Sequence, residues 1–519
     1  MGAVHVVGTP DTRFAELVAG IDSSTQSTKV EVRELATGRL VASGRATHPT
    51  TSPPVSEQDP ESWWAALRAA CRQVGETLDH VVAVSVAGQQ HGLVVVDADD
   101  RTLRRAKLWN DTTSAPQARA LRTVLDDSQW AQRCGLVPVA SFTITKLAWL
   151  AEHEPDILTR VARVMLPHDW LTWRLTGRHV TDRGDVSGTG WWSPAEERYR
   201  SDLLELVVDD PGAWLTRLPT VLGPTDAAGT ILPEAADELG LPEDVLVGPG
   251  TGDNMAAALG LALAPGDVVV SLGTSGTAYA AATSPTMDPT GGVAGFADAT
   301  GGYLPLVATL NATMVTETVA RWLGVDVQQL SRMALAAPAD TAVTLVPYFD
   351  GERTPDLPDA TGLLRGVGND TTRDQLARAA FTGVVCGLLD AVDALRAAGV
   401  VVDGRLRLIG GGAKSPAYRQ IAADLWGSTI TAHVDAESVA AGACVQAAAV
   451  HEQTDPREVA GAWQLDAGTR VDPDPAADPE SVRDGYHATV AMIRAAEPSE
   501  PVRAPTPARP VGGSRQVRR

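Results

Sequence analysis

Short apolar runs alternate with alanine-rich, helix-patterned stretches along most of the chain. Leu17–Ile21, Val81–Val86, Val94–Asp97 and Leu406–Ile409 have the length and β-branched content of strands. Ser62–Gly75 and residues 255–264 carry helical patterns, as does Arg373–Ala398, which reads as two helices or one long one because Gly383 and Gly387 interrupt it. Strands alternating with helices predict an α/β fold. At 519 residues the chain is too long for one core, so two large domains or three smaller ones are expected. Residues 1–15 read as a loose N-terminal extension and 496–519 as a disordered tail, since 501–519 holds four Pro, five Arg and no acidic residue.

The pattern repeats itself once. Leu17–Ile21 runs into Asp22-Ser23-Ser24-Thr25-Gln26-Ser27-Thr28, and Val268–Val270 runs into Ser271-Leu272-Gly273-Thr274-Ser275-Gly276-Thr277. Each is an apolar strand followed by a small, hydroxyl-rich turn, and the two lie about half the chain apart. One such turn has the composition of any surface loop. Two with matching layout predict related domains that each open with a phosphate-gripping hairpin, the boundary falling near 255–267 where Pro265-Gly266 breaks the chain.

Charge narrows the partners. The chain has 43 basic and 64 acidic residues, a net charge of -21. Such a surface repels polyanions and argues against nucleic acid as a partner, although a small pocket of backbone N–H groups can still hold a nucleotide. Cys71, Cys134, Cys386 and Cys444 are too dispersed for a zinc or redox pair and fit a reducing cytoplasm. No secretory pattern opens the sequence and no apolar run approaches the ~18 residues of a membrane span, so a cytoplasmic protein without a membrane partner is expected.

Asp22 ends a buried strand, where a lone carboxylate is costly unless it is paired or meets a cation. The following turn offers successive N–H groups and the hydroxyls of Ser24, Thr25, Ser27 and Thr28, with Lys29 adding one positive charge. This set suits phosphate oxygens, with Asp22 holding Mg²⁺ through water; it would also serve a polar turn capped by Asp22. Gly410-Gly411-Gly412-Ala413-Lys414-Ser415 is no Walker A sequence, but three glycines between a strand and a helix let a base or ribose approach the backbone. In Gly248-Pro249-Gly250-Thr251-Gly252-Asp253-Asn254 the acid is either an N-cap or a general base at a cleft floor. Phosphoryl transfer needs a cation and a placed base, which Asp22 and Asp253 would supply. Gly88-Gln89-Gln90-His91-Gly92 and Leu108-Trp109-Asn110-Asp111 offer the donors, acceptors and ring face that a polyol needs, against the alternative of loop and core packing.

These motifs, in this order, together with Gly351-Glu352-Arg353-Thr354-Pro355, resemble the FGGY carbohydrate kinases from about residue 17 to about 450, and more weakly to about 495. Ser141–Leu150 is similar to the family's first signature, and Gly362–Thr382 to its second, with Thr382 where an acidic residue or Gln is usual. Gly88–Gly92 (Gln90 standing for Met), Ser56-Glu57-Gln58-Asp59-Pro60 and Gly351–Pro355 resemble the xylulokinase branch. Where the family has Pro-Lys-Asp-Tyr, this chain has Pro167-His168-Asp169-Trp170. The resemblance implies two actin-like (ribonuclease H-like) domains around a central cleft: an N-terminal one, 16–257, with the sugar site and first hairpin, and a C-terminal one, 258–495, with the nucleotide site. It implies ATP-dependent phosphorylation of D-xylulose to D-xylulose 5-phosphate with Mg²⁺. The alternatives are another sugar kinase of the family, acting on ribulose, gluconate or a hexose, or a non-catalytic actin-like nucleotide binder. It implies Asp253 as the base and Gln90, His91, Trp109 and Asn254 at the sugar. Ser24, Thr25, Lys29, Gly273, Thr274, Gly411 and Gly412 are expected at the nucleotide. The expected partners are small molecules only, and a homodimer is left open.

Overall fold

The computed structural model describes residues 16–339, 342–434 and 437–496. The expected N-terminal extension and all but the first residue of the expected tail lie outside them.

Two mixed sheets carry the fold. The first is built from β1 (Leu17–Ser23), β2 (Ser27–Glu34), β3 (Leu40–Thr47), β4 (Val81–Gly88), β5 (Gly229–Thr230), β6 (Leu246–Val247) and β7 (Thr251–Gly252). Its order is β5-β6-β4-β1-β2-β3, with β7 also pairing β4. The second contains β8 (Val268–Leu272), β9 (Gly276–Ala280), β10 (Ala294–Ala297), β11 (Tyr303–Thr309), β12 (Leu406–Ile409), β13 (Ile430–Ala432) and β14 (Thr469–Val471), in the order β10-β11-β9-β8-β12-β13-β14. In each, three antiparallel strands form a meander (β1, β2 and β3; β8, β9 and β11) whose first member runs parallel to the next inner strand, β4 or β12. The repeat in the sequence is therefore a repeat of topology. β1 and β4 are buried along nearly their whole length, which explains their continuous apolar runs.

Helices cover both sheets. α1 (Pro60–Val74) starts at Asp59, whose side chain accepts from the Glu61 N–H, and buries Trp63 and Trp64. α2 (Pro167–Thr176) brings Trp170 edge-on to Trp63 at 6.1 Å. α3 (Asp253–Gly260) begins two residues earlier than the sequence predicts, so Gly252 is the N-cap and Asp253 the first helical residue. The capping alternative for Asp253 falls on that geometry. α4 (Arg373–Ala397) is one continuous helix. Gly383 lies within it against the Leu345 carbonyl, where a side chain would not fit, so this glycine serves close packing rather than a break. It is long and apolar enough to cross a membrane, but 72% of its apolar window is buried in this molecule's own core.

α5 (Ser438–Glu452) belongs to the C-terminal half by position yet packs on the first sheet and crosses α3. Cys444 lies against the Glu31 carbonyl, and Gln446 joins Ser85 at 2.5 Å and the Gly250 carbonyl at 3.0 Å. The four cysteines are buried free thiols.

Candidate active site

The β1–β2 hairpin places Asp22 opposite Lys29. Asp22 is 9% exposed and accepts from the Ser24 hydroxyl at 2.5 Å. Burial pushes its carboxyl up to about 6 from 3.8, with Glu437 adding to the rise and Ser24 and Lys29 opposing it. Lys29 is tied to Glu31 at 3.3 Å and to Glu437, just before α5, at 2.9 Å. Its charge thus spans the two halves of the chain.

Asp253 sits at the start of α3, directly after β7, which lies beside the end of β4. Burial, then the charge of Asp22, raise it to about 7 from 3.8, while the Asn254 N–H pulls it down. Two carboxylates that resist sharing one site in their charged forms are matched to a cation and a proton-accepting base. Asn254 donates to Asp253 Oδ1 at 3.0 Å and to Gln90 Oε1 at 2.7 Å, so the loop after β4 is bonded to the residue after the base.

In that loop His91 adopts a left-handed conformation, φ 64°. Its ring packs between Phe142 and Phe296, 5.2 and 5.4 Å between centroids, and burial lowers its pKa to about 3, so it is neutral. Gln90 Nε2, His91 Nδ1 and Asn110 Oδ1 are buried without a hydrogen-bond partner among the described residues. A hydroxyl-rich ligand would supply the partners that these three atoms lack. Trp109 is 39% exposed and donates its indole N–H to the Thr25 hydroxyl at 2.9 Å.

The second hairpin and the glycine turn meet. The Gly273 carbonyl accepts from the Thr313 N–H at 3.0 Å, and Thr274 is exposed at the turn. A cavity of about 610 Å³ is lined by Gly411, Gly412, Ser415, Thr313, Ser331 and Tyr418, among others. Its size suits a nucleoside. Nothing in Gly411 obstructs it: a side chain there would enter open space.

The sequence reading missed the residues that hold these loops. Gln58, fully buried, donates to the Thr25 carbonyl at 2.9 Å and accepts from Trp63 Nε1 at 2.8 Å. Gln89 accepts from the Thr25 hydroxyl at 3.1 Å. Asp111 accepts from the Ser56 N–H at 2.9 Å, which fixes the Trp109 loop. All three lie inside the motifs quoted above, but Gln58 is flanked by Glu57 and Asp59 and Asp111 by Asn110 and Thr112, so no apolar setting in the sequence marks them as buried. Ser24, Thr25, Asp22 and Lys29 share one hairpin and Gln90, His91, Trp109, Asn254 and Asp253 adjoin it, whereas Gly273, Thr274, Gly411 and Gly412 belong to the other sheet.

Known proteins resemble this chain over most of its length. The N-terminal domain model of the FGGY family of carbohydrate kinases matches residues 17–260 and the C-terminal domain model 268–451. The chain is 50% identical over 459 residues to a xylulose kinase of Streptomyces coelicolor, covering 88% of this chain and 92% of that one. It is 49% identical over 453 residues to a xylulose kinase of Streptomyces rubiginosus, covering 87% and 92%. The solved xylulose kinase of Bifidobacterium adolescentis superposes with TM-score 0.81 at 42% identity, covering 91% of this chain and 99% of that one. With motifs, paired sheets and whole-length relatives in agreement, the chain belongs to the FGGY family of carbohydrate kinases.

Proposed function

We propose that the protein transfers the γ-phosphoryl group of ATP to D-xylulose, giving D-xylulose 5-phosphate and ADP. The observation that carries this reading is the Asp253 carboxylate, raised to about 7 at the start of α3 and bonded through Asn254 to the sugar loop. In this reading the terminal sugar hydroxyl attacks the γ-phosphorus, the bond to the β-phosphate oxygen breaks, and Asp253 accepts the hydroxyl proton. Gln90, His91 and Trp109 orient the sugar through the donors and ring faces described above.

The nucleotide lies between the hairpins, its phosphates near Ser24, Thr25, Gly273 and Thr274 and its nucleoside against Gly411 and Gly412. The cavity beside those glycines supports this. The donor set also fits Mg²⁺: Asp22 is a buried carboxylate with a raised pKa next to a second raised carboxylate, an arrangement that a divalent cation relieves. Asp22 would hold the ion through water, and the ion when bound supplies neutralisation of phosphate charge. Lys29, paired with Glu437, is assigned to bringing the halves together over the phosphates rather than to a permanent phosphate contact.

We divide the chain at 257/258, in keeping with sheets that end at Gly252 and begin at Val268. We place it in the cytoplasm, acting on small molecules. The test is an ADP-release panel of D-xylulose, D-ribulose, L-ribulose, D-fructose, gluconate and glycerol. D-Xylulose should give the highest kcat/KM. Preference for another sugar by more than about tenfold, ~1.4 kcal/mol in transition-state binding, would overturn the substrate assignment.

A further inference from the structure

Behind Asp253 lies a charge cluster that the reaction as described does not use. His168, in the first turn of α2, is fully buried. Its Nε2 lies 3.2 Å from Asp169 Oδ1, 3.4 Å from Asp182 Oδ1 and 3.5 Å from Asp185 Oδ2. It is shared among three carboxylates and makes no short directed hydrogen bond to any of them. Both Asp185 oxygens are buried without a hydrogen-bond partner among the described residues.

This cluster is joined to the floor of the active site. Asp182 accepts from the Gly184 and Asp185 N–H groups at 2.8 and 2.9 Å, and from the Thr251 hydroxyl at 2.7 Å. Thr251 is two residues before Asp253. The residue is held between two glycines: a Cβ on Gly88 would lie 2.9 Å from His168 Cβ, and one on Gly250 would lie 2.5 Å from the ring Nδ1. Gly88 therefore admits the backbone and Cβ of His168 and Gly250 its ring, and the residue in turn fixes the approach of the Gly250–Asp253 turn to β4.

We propose that His168 is a positioning residue for phosphoryl transfer, a buried imidazolium that balances Asp169, Asp182 and Asp185 and so sets the place and electrostatic surroundings of Asp253. Removing one partner from a buried charge group leaves uncompensated charge, which the structure must relieve by moving or by taking up a proton. Either response falls on the turn that carries Asp253. Burial opposes a charge on His168, but the carboxylates of Asp169, Asp185 and Asp182 outweigh it and raise the imidazole to about 9. Burial pushes Asp169 up to about 6 and Asp185 well above its ordinary range, and Asp253 itself contributes to the rise of Asp185. The titratable groups facing the ring are thus Asp169 on its own helix, Asp182 at the N-cap of the short helix Arg183–Val186 and Asp185 within that helix, with Asp253 beyond them.

The inference rests on Asp253 as the base. The experiment compares His168→Gln, which keeps much of the volume and removes the charge, with His168→Lys, which restores a cation. H168Q should lower kcat at least about tenfold, with both KM values changed less than about threefold. It should also move the acid limb of the kcat/KM profile to higher pH by about half a unit or more, because the carboxylates of the cluster, of which Asp185 is coupled to Asp253, lose their counter-charge. H168K should recover kcat to within about threefold of the parent. A wild-type kcat and an unmoved pH profile in H168Q would overturn the proposal. So would equal losses in both variants that merely track a lowered Tm. If H168Q does not fold, histidine-labelled parent protein decides by NMR: the His168 ring should stay charged to about pH 8, and a neutral ring at pH 7.5 overturns the proposal. Asp253→Asn run alongside separates the two readings. An active D253N removes the base and this inference together, while an inactive D253N with an unaltered H168Q removes this inference alone.

Discussion

The indole N–H of Trp109 donates to the hydroxyl of Thr25 at 2.9 Å, joining the loop assigned to the sugar to the turn assigned to phosphate. Gln89 and Gln58 hold the same turn from behind, through the Thr25 hydroxyl and carbonyl. Sugar loop and phosphate turn are therefore one bonded unit, and their substitutions should not act independently.

Trp109→Phe keeps a ring and removes the donor. A neutral hydrogen bond contributes about 0.5–1.5 kcal/mol, so the D-xylulose KM should rise about two- to tenfold. In a Thr25→Val background the same change should add less than about twofold, since the bond is already gone. Additive effects across this double-mutant cycle would show that the bond couples nothing.

Gly411 and Gly412 are adjacent but should fail differently. A side chain on Gly411 enters open space, so Gly411→Val should leave Tm within about 1 °C and raise the ATP KM at least about tenfold by occupying the cavity. A Cβ on Gly412 would lie 2.6 Å from Leu272 Cβ. Gly412→Ala should therefore destabilise, by about 1–3 kcal/mol of overpacking. Thermal melts and ATP titrations of both variants check this, and a normal ATP KM in G411V would move the nucleotide elsewhere.

Gly442 of α5 faces the backbone of α3, where an added Cβ would lie 1.8 Å from the Ala256 carbonyl, and a Cβ on Gly260 would lie 1.9 Å from the Ser438 carbonyl. The helices touch backbone to backbone. In a free helix Gly→Ala gains about 1 kcal/mol. Here Gly442→Ala should instead lower Tm by several degrees, because the helices must separate. A stabilised G442A would mean that the crossing has slack.

The twofold architecture was legible in the sequence because its signal is local: an apolar strand running into a hydroxyl-rich turn, written twice, at Asp22 and at Ser271. The start of α3 was not, since alanine-rich periodicity shows where a helix continues and not which residue first takes helical dihedrals. Nor could the sequence show that α5 serves the first sheet. Its residues are almost all small and buried, so it has no polar face to orient it. Nor could the sequence show the Lys29–Glu437 ion pair, whose partners lie 408 positions apart in the chain and are brought within 2.9 Å only by the fold. His168 was unexplained for the same reason, its partners Asp182 and Asp185 lying on another segment.

Asp253 yields a prediction in which catalysis and stability have opposite signs. Burial, then the charge of Asp22, raise its carboxyl to about 7 from 3.8, so the folded protein holds this proton more tightly than the unfolded chain does. That contribution to stability is fully present below about pH 4 and is lost as pH rises through about 7. Asp253→Asn imitates the neutral form at every pH. The ligand-free variant should thus melt about 2 °C or more above the parent at pH 8.5, with the gap narrowing toward pH 5. Catalysis needs the ionised form, so the parent's kcat/KM should fall as pH drops through about 7. A positioned base contributes ~10²–10⁴-fold, and D253N should lose at least about a hundredfold in kcat with nucleotide affinity little changed. A structural Asp253 predicts the reverse, since Asn fits the first turn of a helix nearly as well and would leave activity intact. A D253N variant that is more stable at alkaline pH and inactive identifies a carboxylate held at a cost to the fold for its basicity. One that keeps most of its kcat places the base on another residue.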